Sequence, residues 1–183
     1  MSDGAGHDPG GKVRLPLMAG VKGDATFSAD GRYRQLMRRW TGETFPERYI
    51  LFIGMNPSTA DATVNDPTCA REWTFAQREG YSAMVKANVG DYRATDPKML
   101  LAPGVVAVSD ANLPAIRAAA AEADFVVLCH GKLNKALAPA GKAMVEALKA
   151  DGTKLWCFGT NADGSPKHPL YLRLDTPLVK FEG

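Results

Sequence analysis

RYILFIGMNPSTADATVNDPT, Arg48 to Thr68, runs from a hydrophobic segment straight into a polar loop. Tyr49 to Gly54 is a continuous apolar run of the kind buried on both faces of a parallel sheet. The glycine that ends it suggests a phosphate-binding loop. But Gly54-Met55-Asn56-Pro57-Ser58-Thr59 lacks the further glycines and the lysine that such a loop needs. Ser58 is not a nucleophile elbow either, because Gly-x-Ser-x-Gly is missing and proline precedes the serine. The first strand therefore opens onto an asparagine and a proline.

Working outward, the chain alternates strand and helix. Asp66-Pro67 supplies an N-cap and a first-turn proline for a helix through about Glu79, ended by Gly80. Ala83 to Asn88 (AMVKAN) is a second strand, and Asp96-Pro97 opens a short helical turn. A helix is predicted over Asn112 to Glu122, a third strand over Asp124 to His130, and a helix over Pro139 to Ala150 closed by Asp151-Gly152. Lys154 to Gly159 is a fourth strand, and PLVKF near the C-terminus a short edge. Upstream, Arg32 to Trp40 (RYRQLMRRW) places Tyr33, Leu36, Met37 and Trp40 on one helical face and Arg32, Arg34, Arg38 and Arg39 around the others. A helix is predicted there too, its arginines either solvated or turned to phosphate. Residues 1–12 are too polar and glycine-rich to order themselves and are predicted to be a flexible tail, with His7 in it irrelevant.

Strands joined by helical connections imply an α/β fold: one domain over residues 13–183, a three-layer sandwich around a central, mostly parallel four-stranded sheet. A chain of 183 residues with 45% hydrophobic residues can bury the core of one such domain. With 22 basic and 20 acidic residues the formal charge is +2, so any surface for a polyanion must be local. Cys69, Cys129 and Cys157 are too far apart for a Cys-x-x-Cys knuckle and read as small buried hydrophobes. Their odd number, and the lack of a signal peptide, fit a reducing cytoplasm. No run approaches the roughly 18 apolar residues that cross a bilayer.

In an open parallel sheet the ligand site lies beyond the carboxyl ends of the strands. The first strand ends in Gly54 to Thr59; the second in Asn88, followed by Asp91, Tyr92 and Arg93. The third ends in His130-Gly131-Lys132, and the fourth in Gly159-Thr160-Asn161, leading to His168-Pro169. Each has a structural duty open to it: Asn56-Pro57 as a turn, Asn88 as a loop cap, His130 as a satisfied buried imidazole, His168-Pro169 as a rigid bend. Their joint arrival at one sheet edge points to a pocket rich in amides and imidazole and poor in carboxylates. Such a pocket suits a nucleobase edge better than a metal ion, so no metal or cofactor is expected.

GMNPSTADATVNDPT, GYSAMVKANVGDYRATDPKML and GSPKHPLYL resemble a bacterial and phage family known as domain of unknown function 1643, over about Phe27 to Leu172. More distantly, the chain resembles the uracil-DNA glycosylases. Those enzymes carry Gly-x-Asn-Pro after the first strand, an asparagine ending the second, and a late His-Pro loop, as do Gly54-Met55-Asn56-Pro57, Asn88 and His168-Pro169 here. The resemblance implies cleavage of an N-glycosidic bond through an oxocarbenium-like transition state. Asn56 would hold the attacking water, Asn88 the flipped base and His168 the departing anion. Gly54, Met55, Pro57, Ser58 and His130 would complete the pocket. Tyr92 is open to stacking on the base or to ordinary half-burial. Arg93, Lys132, Lys135 and Lys167 are open to phosphate contact or to a solvated rim. Asp66 is taken up as a cap, which makes Asp61 the candidate general base.

The sequence departs from the glycosylase pattern at Leu170-Tyr171-Leu172, where serine usually follows His-Pro; Leu170 or Tyr171 is a candidate wedge into a base stack. The iron-sulfur cysteines of some branches are absent. Two functions follow: a glycosylase acting on a modified or damaged base in DNA or a nucleotide, and a non-catalytic module that binds a nucleobase, nucleotide or nucleic acid. A third is another hydrolase or transferase acting on a small nucleotide-like molecule. The sequence is silent on oligomeric state.

Overall fold

The computed structural model describes residues 13–183; the tail expected over residues 1–12 lies outside them. In chain order the elements are β1 (Leu15–Pro16), β2 (Val21–Phe27), β3 (Arg34–Thr41), β4 (Ile50–Gly54), β5 (Val64–Asn65), α1 (Pro67–Arg78), β6 (Ala83–Asn88), α2 (Asn112–Glu122), β7 (Phe125–Leu128), α3 (Ala138–Ala150), β8 (Leu155–Cys157) and β9 (Val179–Lys180). Single 3-10 turns span Pro97–Leu101 and Pro169–Tyr171. None of the helices among the described residues is long and apolar enough to cross a membrane.

The main sheet is mixed and has seven strands in the order β2-β3-β6-β4-β7-β8-β9, not the four expected. β6, β4, β7 and β8 pair in parallel. β2 and β3 extend one side antiparallel, and β9 extends the other. β1 and β5 form a separate two-stranded ladder.

Alternation sets the layers. Every residue of β4 is buried, as its apolar run requires of a strand flanked on both sides. Ile50 and Phe52 join Met84, Val127, Trp73, Phe75 and Ala76 on the α1 face. Leu51 and Ile53 join Val85, Ala87, Val126, Leu128, Ile116 and Leu148 on the α2 and α3 face. Each such side chain taken out of water contributes about 1.5–3 kcal/mol, so the two faces together hold the sheet between its helices. Cys69, Cys129 and Cys157 are free and buried.

The helix expected over Arg32 to Trp40 is a strand. β3 pairs with β2 on one side and with β6 on the other. At its start the register slips: Thr26 faces Leu36, but Phe27 faces Arg34. Beyond this bulge β3 alternates regularly, with Leu36 and Trp40 against the α2 and α3 face and Met37 on the α1 face, so apolar residues on both faces imitate one helical stripe. Arg34 then lies on the same side as Met37 and Arg39, bonding Ala60 O at 2.6 Å, while Arg39 bonds Asn65 Oδ1 at 2.9 Å and Val64 O at 2.8 Å. Both arginines are almost fully buried. Both are turned inward and bind the loop after β4 to the sheet.

Candidate functional site

The loop after β4 is pinned by backbone and amide bonds. Val89 N donates to Gly54 O and Gly90 N to Met55 O, both at 2.9 Å, so the ends of β4 and β6 travel together. Asn56 Nδ2 donates to Pro57 O at 3.0 Å and to Ala94 O at 2.7 Å. Two carbonyl acceptors fix which end of the amide is nitrogen, and leave Oδ1 as the group Asn56 offers a ligand.

β6 contributes alternate residues to the α1 face: Met84 enters the core, then come Lys86 and Asn88. Asn88 Oδ1 accepts from Arg34 Nη2 at 3.1 Å, so Asn88 offers its Nδ2 donor. Lys86 pairs with Glu72 of α1, their side chains 4% and 0% exposed. Burial, the largest single influence, works to lower the Lys86 pKa, but the charge and hydrogen bond of Glu72, together with the nearby sulfurs of Cys129 and Cys69, move it upward on balance, which favours the charged ammonium. A Cβ on Gly54 would sit 2.6 Å from Lys86 Nζ and 2.9 Å from Asn88 Nδ2, so a larger residue there has to displace these side chains.

His168 opens the late 3-10 turn, its Nδ1 accepting from Leu170 N at 3.4 Å, which leaves Nε2 to carry the proton. Burial, and then the Lys86 charge, push its pKa down from 6.5 to about 4, against a smaller upward pull from Asp66. At neutral pH His168 is therefore an uncharged donor.

These groups meet in a cavity of about 440 Å³ at the carboxyl ends of the parallel strands. Of the residues singled out in the sequence, Gly54, Met55, Asn56, Ser58, Asn88 and His168 line it, and Pro57 is buried in the same loop. Leu170 and Tyr171 stand in its wall, Tyr171 84% exposed.

The other candidates lie elsewhere. Asp61 does not line the cavity: its Oδ1 accepts from Thr63 N and Val64 N at 2.7 and 3.0 Å, and its Oδ2 faces Arg14. Asp66, set aside as a helix cap, does cap α1, accepting from Cys69 N at 2.8 Å, and also lines the cavity. Tyr92 packs edge-on against Tyr33, ring centroids 5.6 Å apart. His130 lines a second cavity, between α3 and Phe181, with Nδ1 bonded to Gly131 O at 2.7 Å. Arg93 is buried, bonded to Gly31 O and stacked over Phe27, so it is not a rim cation. Lys132 and Lys135 are exposed and Lys167 half-buried, all outside the cavity wall.

Sequence reasoning missed Arg34, Thr59, Asp66 and Lys86 as lining residues. The signal for Lys86 is a lysine inside an otherwise apolar central strand, which must find a buried carboxylate.

The His168 shift gives a stability prediction. Above about pH 6.5 the imidazole is neutral in both states; as pH falls toward 4 the unfolded chain binds a proton that the folded one refuses, so stability falls, and below about 4 the loss saturates. With a discount for partial exposure this amounts to about 2–3 kcal/mol. His168→Asn, which keeps an acceptor for Leu170 N, is expected to flatten the fall of melting temperature between those pH values by the corresponding amount. Equal slopes for the two proteins would refute the depressed imidazole.

The model of a family described as Protein of unknown function (DUF1643) matches residues 32–170. No curated protein and no solved structure matches the chain.

Proposed function

The chain belongs to the DUF1643 family of proteins of unknown function, and from the geometry of its cavity we propose that it hydrolyses the N-glycosidic bond of a modified or damaged nucleobase in DNA or a nucleotide. One observation carries this reading: Asn56, Asn88 and His168, from three separate parts of the chain, line one cavity at the strand ends. Their order and setting resemble those of the uracil-DNA glycosylases, and helices on both sides of a parallel strand core are compatible with that fold.

In the proposed reaction Asn56 Oδ1 accepts a hydrogen bond from the attacking water. Its oxygen bonds to the sugar carbon as the bond to the base nitrogen breaks, and that electron pair leaves with the base. The water proton passes to a carboxylate, and that role falls to Asp66, not to Asp61. Asn88 Nδ2 and the neutral His168 Nε2–H donate to the departing base. Asn88 makes a single donation rather than a two-point reading of the base, because Arg34 occupies its Oδ1.

A second reading, a nucleobase-binding module without hydrolysis, is favoured by one feature. Asp66 is the one carboxylate on the cavity wall among the described residues, and one of its oxygens already caps α1.

Oligonucleotides carrying uracil, mismatches or modified bases, incubated with the protein and then treated with alkali, separate the two. Strand scission at one of these bases is expected. Absence of scission on every substrate, with base binding retained, would leave only the module.

A further inference from the structure

The ammonium of Lys86 has no counterpart in the reading above. Its three N–H groups make one hydrogen bond among the described residues, to Glu72 Oε1. A buried ion pair that is merely structural has its remaining protons satisfied by protein groups. Here Lys86 instead reaches the cavity wall, 3% exposed, beside the cavity's other donors. Lys86 Nζ and Asn88 Nδ2 both pack over Gly54, within 3 Å of where a Cβ would stand. Arg34 Nη2 occupies the acceptor of Asn88, and Leu170 N occupies Nδ1 of His168. Three side chains thus present donors, and one of them carries a full positive charge.

We propose that Lys86 contacts the ligand directly and that, with Asn88 and His168, it forms a donor-only wall for the electron-rich oxygen of a nucleobase in its anionic form. The inference rests on the nucleobase reading of this cavity and adds a specificity element to it. An anion is also the form in which a base leaves when its glycosidic bond breaks heterolytically. The wall would therefore favour ring systems whose negative charge is delocalised onto a carbonyl oxygen over those that present an exocyclic amine, which would meet donors with donors. Because Glu72 holds Lys86 protonated, the lysine acts through its charge and not as a free amine attacking the sugar.

Two probes of nearly the same shape test this. Uracil is neutral near neutral pH, whereas 5-nitrouracil ionises more readily and is largely anionic there. The wild-type protein, titrated calorimetrically, is expected to bind 5-nitrouracil at least about tenfold more tightly than uracil. Lys86→Met is expected to remove that preference. Because this variant strands Glu72 in the core, the double variant Glu72→Gln, Lys86→Met is measured beside it, with both folds checked by circular dichroism. No preference in the wild type, or a preference that survives in the folded double variant, would make Lys86 structural and overturn the inference while leaving the nucleobase site standing. If neither base binds the wild type, the nucleobase reading itself falls, and this inference with it.

Discussion

Glu72→Ala is expected to remove about 3–5 kcal/mol of folding stability. Glu72 is fully buried and Lys86 nearly so. Deleting the carboxylate leaves an ammonium in the core with no anion beside it, and it must deprotonate, drag in water or push the strand apart. A domain of this size has about 5–15 kcal/mol in total, so a third or more of its stability is at stake. The expected measurement is a urea melt in which the midpoint falls with little change in slope. Replacing both members, Glu72→Leu with Lys86→Met, removes both charges and is expected to recover most of the loss, since apolar residues of similar volume often match a buried pair. A drop below about 1 kcal/mol for Glu72→Ala would show that the pair is solvated like a surface bridge.

The same pair marks where the sequence was legible and where it was not. Strands at Tyr49 to Gly54 and Ala83 to Asn88, and the helix opened by Asp66-Pro67, follow from local rules. The structure places them at Ile50–Gly54, Ala83–Asn88 and Pro67–Arg78. Within that helix Cys69, Glu72, Trp73 and Ala76 share one buried stripe at three- and four-residue spacing. A glutamate inside an apolar stripe and a lysine inside an apolar strand each signal a buried charge; only a tertiary arrangement brings them together. The arginine-rich segment at Arg34–Thr41 failed for a different reason. Both faces of this strand carry apolar side chains, Leu36 and Trp40 on one and Met37 on the other, and the β-bulge opposite Phe27 shifts the parity of Arg34, so propensity cannot anticipate a strand fixed by pairing with Val21–Phe27.

Site residues divide along the same line. Asn56, Asn88 and His168 were legible because each sits at or beyond a strand end, where topology gathers ligand groups whatever the loop details. Asp66 caps α1 as expected and also lines the cavity, whereas Asp61 does not line it. Capping a helix spends one carboxylate oxygen and leaves the other free, whereas a tight turn occupied Asp61 with Thr63 and Val64. Arg93 misled because a cation next to a strand end reads as a phosphate contact until its burial is known.

Asn56→Ala is expected to lower the rate of base release about 10²–10³-fold, equivalent to about 2.7–4 kcal/mol of transition-state stabilisation. The side chain has two functions, and the variants separate them. Its Nδ2 binds Pro57 O and Ala94 O, a structural duty whose loss costs about 1 kcal/mol per bond in stability. Its Oδ1 is the acceptor proposed to hold the water. Aspartate, the closest replacement in shape, keeps an acceptor toward the cavity but sets a carboxylate oxygen against those two carbonyls, so Asn56→Asp is expected to melt lower than Asn56→Ala. A single-turnover assay of alkali-labile product, read beside a thermal melt, distinguishes the two functions. If the rate loss in Asn56→Ala disappears at a temperature where the variant is as fully folded as the wild type, Asn56 shapes the loop and something else positions the water. If the loss persists in the folded variant while base affinity stays within about threefold, the asparagine acts on the transition state and not on binding.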